Sequence, residues 1–207
     1  MGDPKFQRKT YSTPRHPWEK TRIDEERAVL SKYGLKNKRE LWKAQSILDS
    51  YRTQARFLQA QLRTGNQVSL AQFQMMIKKL NRYRILGENA TLDDVLSLSL
   101  ESILERRFQN LVYRKHLAST QKQARQLITH GHILLNGRRV SIPGLMVEAT
   151  VEDSITYDPS SILIDEDHPL RRALAGVKES AEEEVPAAES ASSEEEEKAA
   201  EGDENTQ

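Results

Sequence analysis

Residues 119–140 read STQKQARQLITHGHILLNGRRV and decide the fold, because the spacing of apolar residues changes within them. The first half has helical spacing, with Thr120 placed to cap a helix that ends before Gly131. The second half predicts a β-hairpin, because Asn136-Gly137 supplies the positive φ angles of a two-residue type I′ turn. The stretch therefore predicts one helix followed by one hairpin.

Helices are predicted on the N-terminal side of this stretch. In the longest, apolar residues from Leu41 to Leu62 recur at spacings of three and four, which predicts one buried stripe. A short strand at Ser154–Tyr157 follows the hairpin, so the predicted fold class is α+β. The predicted helices are Asp24–Tyr33, Lys38–Arg63, Ser69 to about Gly87 with a capping box at its start, Thr91 to about His116, and Thr120–His130.

The net charge of zero conceals two oppositely charged parts. Residues 179–207 hold twelve acidic residues and one basic residue, a net charge of −11, which leaves +11 on residues 1–178. A basic body favours a polyanionic partner, and we expect nucleic acid. The acidic segment has the composition of a disordered tail. It is compatible with screening the basic body, limiting stray RNA binding, aiding solubility or adapting to a salty cytoplasm.

Composition also excludes several classes of protein. The chain has no cysteine, which excludes disulfides and thiol-zinc sites. His130 and His132 lack a third ligand, so we expect no metal and no cofactor. No apolar run approaches the roughly 18 residues of a membrane helix, and the N-terminus lacks the apolar stretch of a signal peptide. We therefore expect a cytoplasmic protein without a membrane partner.

We divide the chain into four parts. The first 18 residues combine prolines and basic residues without apolar periodicity, so they predict an extended basic arm that becomes ordered on a partner. The other parts are a helical domain at 19–105, an RNA-binding module at 106–170, and a C-terminal extension at 171–207 that is acidic and disordered from about 179.

The helix at Thr120–His130 carries the main binding candidates. Its apolar face leaves a second face with basic and amide side chains, which can reach phosphates, ribose hydroxyls and base edges together. The preceding helix and the hairpin add more basic residues. The apolar face holds Ala124, Leu127 and Ile128, and the other face holds Lys122, Arg125, Gln126 and Thr129.

The run Ala118–Ile133, followed by Leu135-Asn136-Gly137 and Ile142-Pro143, closely resembles the signature of the small RNA-binding domain named after small-subunit ribosomal protein four. That domain also occurs in pseudouridine synthases, tyrosyl-tRNA synthetases and a heat-shock protein. Over about residues 1–170 the chain resembles the archaeal and eukaryotic branch of that ribosomal protein family, and it lacks the cysteine cluster often found in the bacterial branch. The runs that carry this resemblance are Met1–Lys5, Tyr11–Trp18, Lys36–Trp42, Leu92–Leu98 and Ile103–Arg107.

The resemblance implies a helical domain packed around the RNA-binding module. It implies binding to the 5′ domain of small-subunit rRNA at a helical junction, a role in nucleating subunit assembly and an influence on decoding accuracy. The implied partners are this rRNA and neighbouring small-subunit proteins, with no small-molecule substrate.

The residues predicted to face RNA fall into three groups. Matched by position to the family, they are Arg106, Arg107, Lys122, Arg125, Gln126, Arg138 and Arg139, with Ser119, Gln121 and Thr129 as hydroxyl and amide candidates. Basic residues of the same helix pair add Arg114 and Lys115. The basic face of the long helix adds Arg52 and Arg56, and the arm adds Arg8, Lys9 and Arg15.

The sequence suggests two alternative functions. RNA-modifying enzymes carry the same module beside a catalytic domain, but the preceding residues show no catalytic motif. A coiled coil is suggested by the stripe from Leu41 to Leu62, although Ala44 and Tyr51 are poor core residues for one. We therefore expect binding rather than catalysis. From sequence, Trp18 is as compatible with stacking on a base as with packing in the fold.

Overall fold

A computed structural model describes residues 8–65, 67–87, 90–165 and 167–174. They belong to two compact units divided between Asp158 and Pro159. The helices of the first unit are α1 Lys20–Lys32, α2 Lys38–Arg63, α3 Gln67–Arg82, α4 Leu92–Ser97, α5 Leu100–Glu105, α6 Phe108–Arg114 and α7 Gln121–Thr129. Its strands are β1 Ile133–Leu135, β2 Arg138–Arg139 and β3 Thr156–Tyr157, with a 3₁₀ helix at Ala149–Ser154.

Helix α2 is the central element of the helical part. Its bounds match the predicted ones, and Asn37 caps it by accepting a hydrogen bond from the Glu40 backbone N–H at 3.3 Å. The predicted apolar stripe is buried, including Leu48 and Ala55, and packs against α3, α4 and α5. This packing within one chain explains the stripe without a coiled coil.

The predicted long helix from Thr91 to His116 is wrong. The chain forms α4, α5 and α6 instead. The predicted helix is interrupted between α4 and α5 by Ser99. Its hydroxyl accepts a hydrogen bond from the Ser102 N–H and caps α5. A second interruption lies between α5 and α6, because the extended backbone of Arg107 forms a bridge to Met146. Local capping and a distant strand-like contact therefore override helical spacing.

Two predicted helix starts also differ from the structure. Helix α1 begins four residues before the predicted start at Asp24. Helix α3 begins at Gln67 rather than Ser69, whose hydroxyl donates to the Gln61 side chain at 2.6 Å instead of capping the helix. Ser69 is fully buried by this contact, so tertiary packing replaces the predicted capping box.

The C-terminal half of the first unit packs α6 and α7 beside a small sheet. The three strands are antiparallel in the order β2-β1-β3, with Leu134 opposite Arg139 and Ile133 opposite Tyr157. Asn136 and Gly137 have φ angles of 51° and 70°, which confirms the predicted type I′ turn. The core of this half consists of fully buried residues, among them Phe108, Leu111, Val112, Ala124, Ile128 and Ile133.

The arm and the C-terminal part are described in part. Residues 8–18 form no helix or strand, and the Tyr11 ring stacks on Trp42 with 6.0 Å between ring centroids. In the second unit, Ile162–Ile164 form a 3₁₀ helix. The predicted acidic tail from about 179 and the first seven residues lie outside the described residues. Within the described ranges, no helix has both the length and the apolar character needed to cross a membrane.

Candidate nucleic-acid interface

Helix α7 presents the predicted polar face to solvent. Ala124, Leu127 and Ile128 are buried, whereas Lys122 and Gln126 are exposed. The prediction of which face points inward is confirmed. The cause is the spacing of the apolar residues, which lets one side of a short helix pack while the other stays in water.

The hydroxyl and amide candidates mainly serve local structure. Thr120 caps α7 by accepting from the Gln123 N–H at 3.1 Å, and Gln123 in turn accepts from the Ser119 N–H at 2.7 Å and from the Ser119 hydroxyl. The Thr129 hydroxyl is 3.0 Å from the carbonyl oxygens of Arg125 and Gln126 in the preceding turn. The Gln121 amide donates to Asn110 at 2.5 Å.

Two predicted arginines are buried at the junction of α5 and α6. The side chains of Arg106 and Arg107 are 7% and 10% exposed. The Arg106 guanidinium pairs with Glu152 at 3.0 Å, and the Arg107 guanidinium pairs with Glu40 at 2.8 Å. Burial of a guanidinium is costly unless a carboxylate compensates for it, so both acids stabilise the fold here.

Glu40 also binds Arg125 of α7. The two guanidinium nitrogens of Arg125 lie 2.7 Å and 3.1 Å from the two Glu40 oxygens, a bidentate pairing. Burial by itself would raise the pKa of the Glu40 carboxyl, but the Arg125 hydrogen bonds and the Arg107 charge outweigh it and lower that pKa. One carboxylate from α2 therefore holds two arginines of the C-terminal half.

Gln109 forms a second connection between the helical half, α1 to α5, and the C-terminal half, α6 to β3. Its buried amide donates to the carbonyl oxygens of Tyr33 and Gly34, each at 3.2 Å, and of Gln121 at 2.9 Å. Gly34 has a φ angle of +56°, and a Cβ placed on it would lie 2.7 Å from the Gln121 Cβ. A glycine is required here because the loop after α1 passes so close to the start of α7.

We call this contact region, formed by Glu40, Arg107, Gln109 and Arg125, the seam. Glu40 and Gln109 were not predicted from sequence. Glu40 is 85 residues from Arg125 in the chain, and no local pattern signals a contact at that distance. The only sequence signal is the position of Glu40 in the first turn of α2, where the helix dipole favours an acid.

Other predicted residues also have partners within the chain. Lys115 pairs with Asp153 at 3.3 Å. The Arg139 Nε donates to an Asp158 carboxylate oxygen at 3.0 Å. The Arg52 guanidinium donates to the Leu98 carbonyl oxygen at 2.6 Å. The Lys9 ammonium lies 5.0 Å from the centre of the Tyr11 ring.

A smaller set of predicted cations is exposed and unpaired. We call Arg114, Lys122 and Arg138 the free cations, because each is exposed and has no partner within the described part of the chain. They come from three elements: the end of α6, the outer face of α7 and the strand after the hairpin turn. Outside the C-terminal half, the predicted residues Arg8, Arg15 and Arg56 are likewise exposed and unpaired among the described residues.

One further cation adjoins the seam. Lys43 is exposed on α2, one turn after Glu40, and lines the same groove as Arg107, Arg125 and Pro143. The groove has a volume of about 390 Å³. Lys43 was not predicted, because the basic face assigned to α2 from sequence lay nearer its C-terminal end.

Two family models match the chain. The model described as "S4 domain" matches residues 106–154, which include α6, α7 and the hairpin. The model described as "Ribosomal protein S4/S9 N-terminal domain" matches residues 5–105.

Close relatives carry one name. A Picrophilus torridus protein named "Small ribosomal subunit protein uS4" is 64% identical over 88% of this chain and 100% of that protein. The Thermoplasma volcanium protein of the same name is 58% identical over 91% of this chain and 96% of its own length. The Methanococcus aeolicus protein of that name is 51% identical over 83% of this chain and 96% of its own length.

Proposed function

The chain belongs to the uS4 family of small-ribosomal-subunit proteins, and we propose that it binds the 5′ domain of small-subunit rRNA at a helical junction. Members of this family are structural components of the subunit rather than enzymes. The protein acts in cytoplasmic ribosomes, beside rRNA and neighbouring small-subunit proteins. By holding the junction it nucleates subunit assembly and contributes to decoding accuracy.

The division of the cations into paired and free ones supports this proposal. A phosphate competes poorly for an arginine that a carboxylate already binds in two places, because both bonds must first break. Arg114, Lys122 and Arg138 have no such competitor within the described residues. These three side chains therefore contact rRNA phosphates, and the exposed Gln126 amide contacts a ribose hydroxyl or base edge.

The seam supports a selectivity that depends on shape and few base contacts. It joins the helical half to the C-terminal half through Glu40 and Gln109, so cations on both halves keep fixed positions. An RNA junction has a distinctive arrangement of backbones, and a rigid basic surface can distinguish it by shape. We assign Arg107 and Arg125 to this structural role, and Arg106 to a similar role with Glu152.

The remaining predicted residues extend the surface beyond the C-terminal half. Arg8, Lys9 and Arg15 place positive charge in the arm, and Arg56 places it on α2. Their contacts are with the rRNA backbone, which carries no sequence information but adds affinity. Lys115, Arg139 and Arg52 contribute mainly to the local field, because each already has a partner within the chain.

Binding of the full chain to two RNAs tests the proposal. One RNA is the 5′ domain of small-subunit rRNA, and the other is an unrelated structured RNA of equal length. We expect binding to the first to be tighter and to persist at moderate salt, whereas binding to the second weakens steeply. Equal and equally salt-dependent binding to both would contradict junction recognition and leave a general RNA binder.

A further inference from the structure

Trp18 is the most exposed aromatic side chain among the described residues. It is 90% exposed, although burial of an indole is among the most favourable contributions a side chain can make. The second tryptophan behaves differently. Trp42 stacks on Tyr11, and its indole N–H donates to Glu26 at 3.2 Å. Of the two tryptophans, only Trp18 is exposed.

The turn that carries Trp18 is held in place by side chains. The Arg22 guanidinium donates to the carbonyl oxygens of His16 at 2.8 Å and Pro17 at 3.2 Å. Arg22 is itself paired with Glu26 at 2.6 Å, and Pro17 restricts the backbone further. These bonds fix the backbone immediately before the indole while leaving the ring in water. Such a side chain loses less conformational freedom on binding than one on a mobile loop.

The segment that carries Trp18 is basic overall, although Pro17 and Glu19 directly flank the indole. The segment from Arg8 to Lys20 holds four basic residues and one acid, a net charge of +3, and both Arg15 and Lys20 are exposed. The exposed aromatic Phe57 has a different setting. It lines a groove of about 440 Å³ with the apolar side chains of Leu58 and Met75. A single ring among cations suits a nucleic acid base better than an apolar protein surface.

We propose that Trp18 is a stacking site for an unpaired RNA base, with Arg15 and Lys20 binding the phosphates on either side. The inference rests on the proposed rRNA-binding function and adds a specific contact to it. Every base has a π-face, so stacking on an indole tolerates any base identity but requires one that is not paired. Trp18 therefore favours RNA with a single-stranded or flipped-out nucleotide beside the junction.

Fluorescence of the full-length chain tests the contact directly. The chain has two tryptophans, so Trp42→Phe leaves Trp18 as the only indole. We expect titration with the 5′-domain rRNA to quench the Trp18 emission strongly, because a stacked base quenches an indole. Saturated binding without a change in emission would overturn the proposal. Absence of RNA binding by the wild-type chain would instead contradict the proposed function.

Affinity measurements on two substitutions complete the test. We expect Trp18→Ala to weaken binding to the 5′-domain rRNA about tenfold and Trp18→Phe to restore most of that loss, because phenylalanine keeps a stacking ring. The salt dependence should be the same for all three proteins, since the indole carries no charge. Unchanged affinity of Trp18→Ala, or a loss that Trp18→Phe fails to restore, would overturn the stacking contact. Circular dichroism confirms folding of each variant.

Discussion

Lys122 and Arg125 lie three residues apart on α7, yet their surroundings differ. Arg125 belongs to the seam, where its two terminal guanidinium nitrogens donate to the Glu40 carboxylate. Lys122 belongs to the free cations, with an exposed side chain and no partner among the described residues. Positive charge on one helix can therefore have two uses. One cation stabilises the joint between two halves, and the other is available to phosphate.

Among the substitutions at the seam, we expect that of Glu40 to lower the stability most. Glu40→Gln leaves Arg107 and Arg125 without their carboxylate, and we expect a loss of about 3 kcal/mol in the free energy of unfolding. Urea denaturation measures it. The matched control is Glu101→Gln, which breaks an ion pair with Lys32 whose two side chains are 44% and 59% exposed. We expect little or no loss of stability there, because solvent screens an exposed ion pair. Equal effects of the two substitutions would contradict a special role for the seam.

A smaller effect is expected at the glycine that lets the two halves approach. Gly34→Ala places a methyl group 2.7 Å from the Gln121 Cβ, in addition to the strain of a positive φ angle. Gly137→Ala has a similar φ angle but open space around it. We expect about 1 kcal/mol for the strain alone at Gly137 and about 2–3 kcal/mol at Gly34. Thermal unfolding of both variants compares them, and a cost at Gly34 no larger than at Gly137 would contradict close packing at the seam.

The pH dependence of stability gives the finest test of the seam. The Arg125 hydrogen bonds and the Arg107 charge lower the folded-state pKa of Glu40 despite burial, which opposes them. The stability contributed by Glu40 is thus present above its ordinary pKa of about 4.5 and is lost as pH falls through the lower, folded-state pKa. We expect the difference in unfolding free energy between wild type and Glu40→Gln to shrink as pH falls below about 4.5. A difference that stays constant between pH 7 and pH 3 would contradict a stabilising role for ionised Glu40 in the seam.

Local signals in the sequence were sufficient for several elements. The stripe of α2, the cap of α7 and the Asn136-Gly137 turn each depend on residues within a few positions of one another. Such signals act through backbone conformation and helix periodicity, which short segments determine by themselves. The predictions for these elements were therefore correct to within a residue or two.

Contacts between distant residues could not be predicted in this way. The pairing of Arg107 with Glu40 spans 67 residues, and the bridge from Arg107 to Met146 breaks a helix that periodicity alone would continue. A sequence also does not show which arginine on a basic helix already has a carboxylate partner. For that reason the sequence predicts the same RNA-facing role for Arg106, Arg107 and Arg125 as for Lys122 and Arg138, although their surroundings differ.

The salt dependence of RNA binding tests the role of the free cations most directly. In the full-length chain, Lys122→Ala combined with Arg138→Ala removes two of them, and Lys78→Ala combined with Lys79→Ala removes the same charge from exposed positions on α3. For the 5′-domain rRNA, we expect the first pair to lower the slope of log affinity against log salt by about 2 and to cost about 1–3 kcal/mol. The second pair should change the slope by less than about 1. Equal changes for the two pairs, or no change for the first, would contradict the assignment of RNA binding to the free cations.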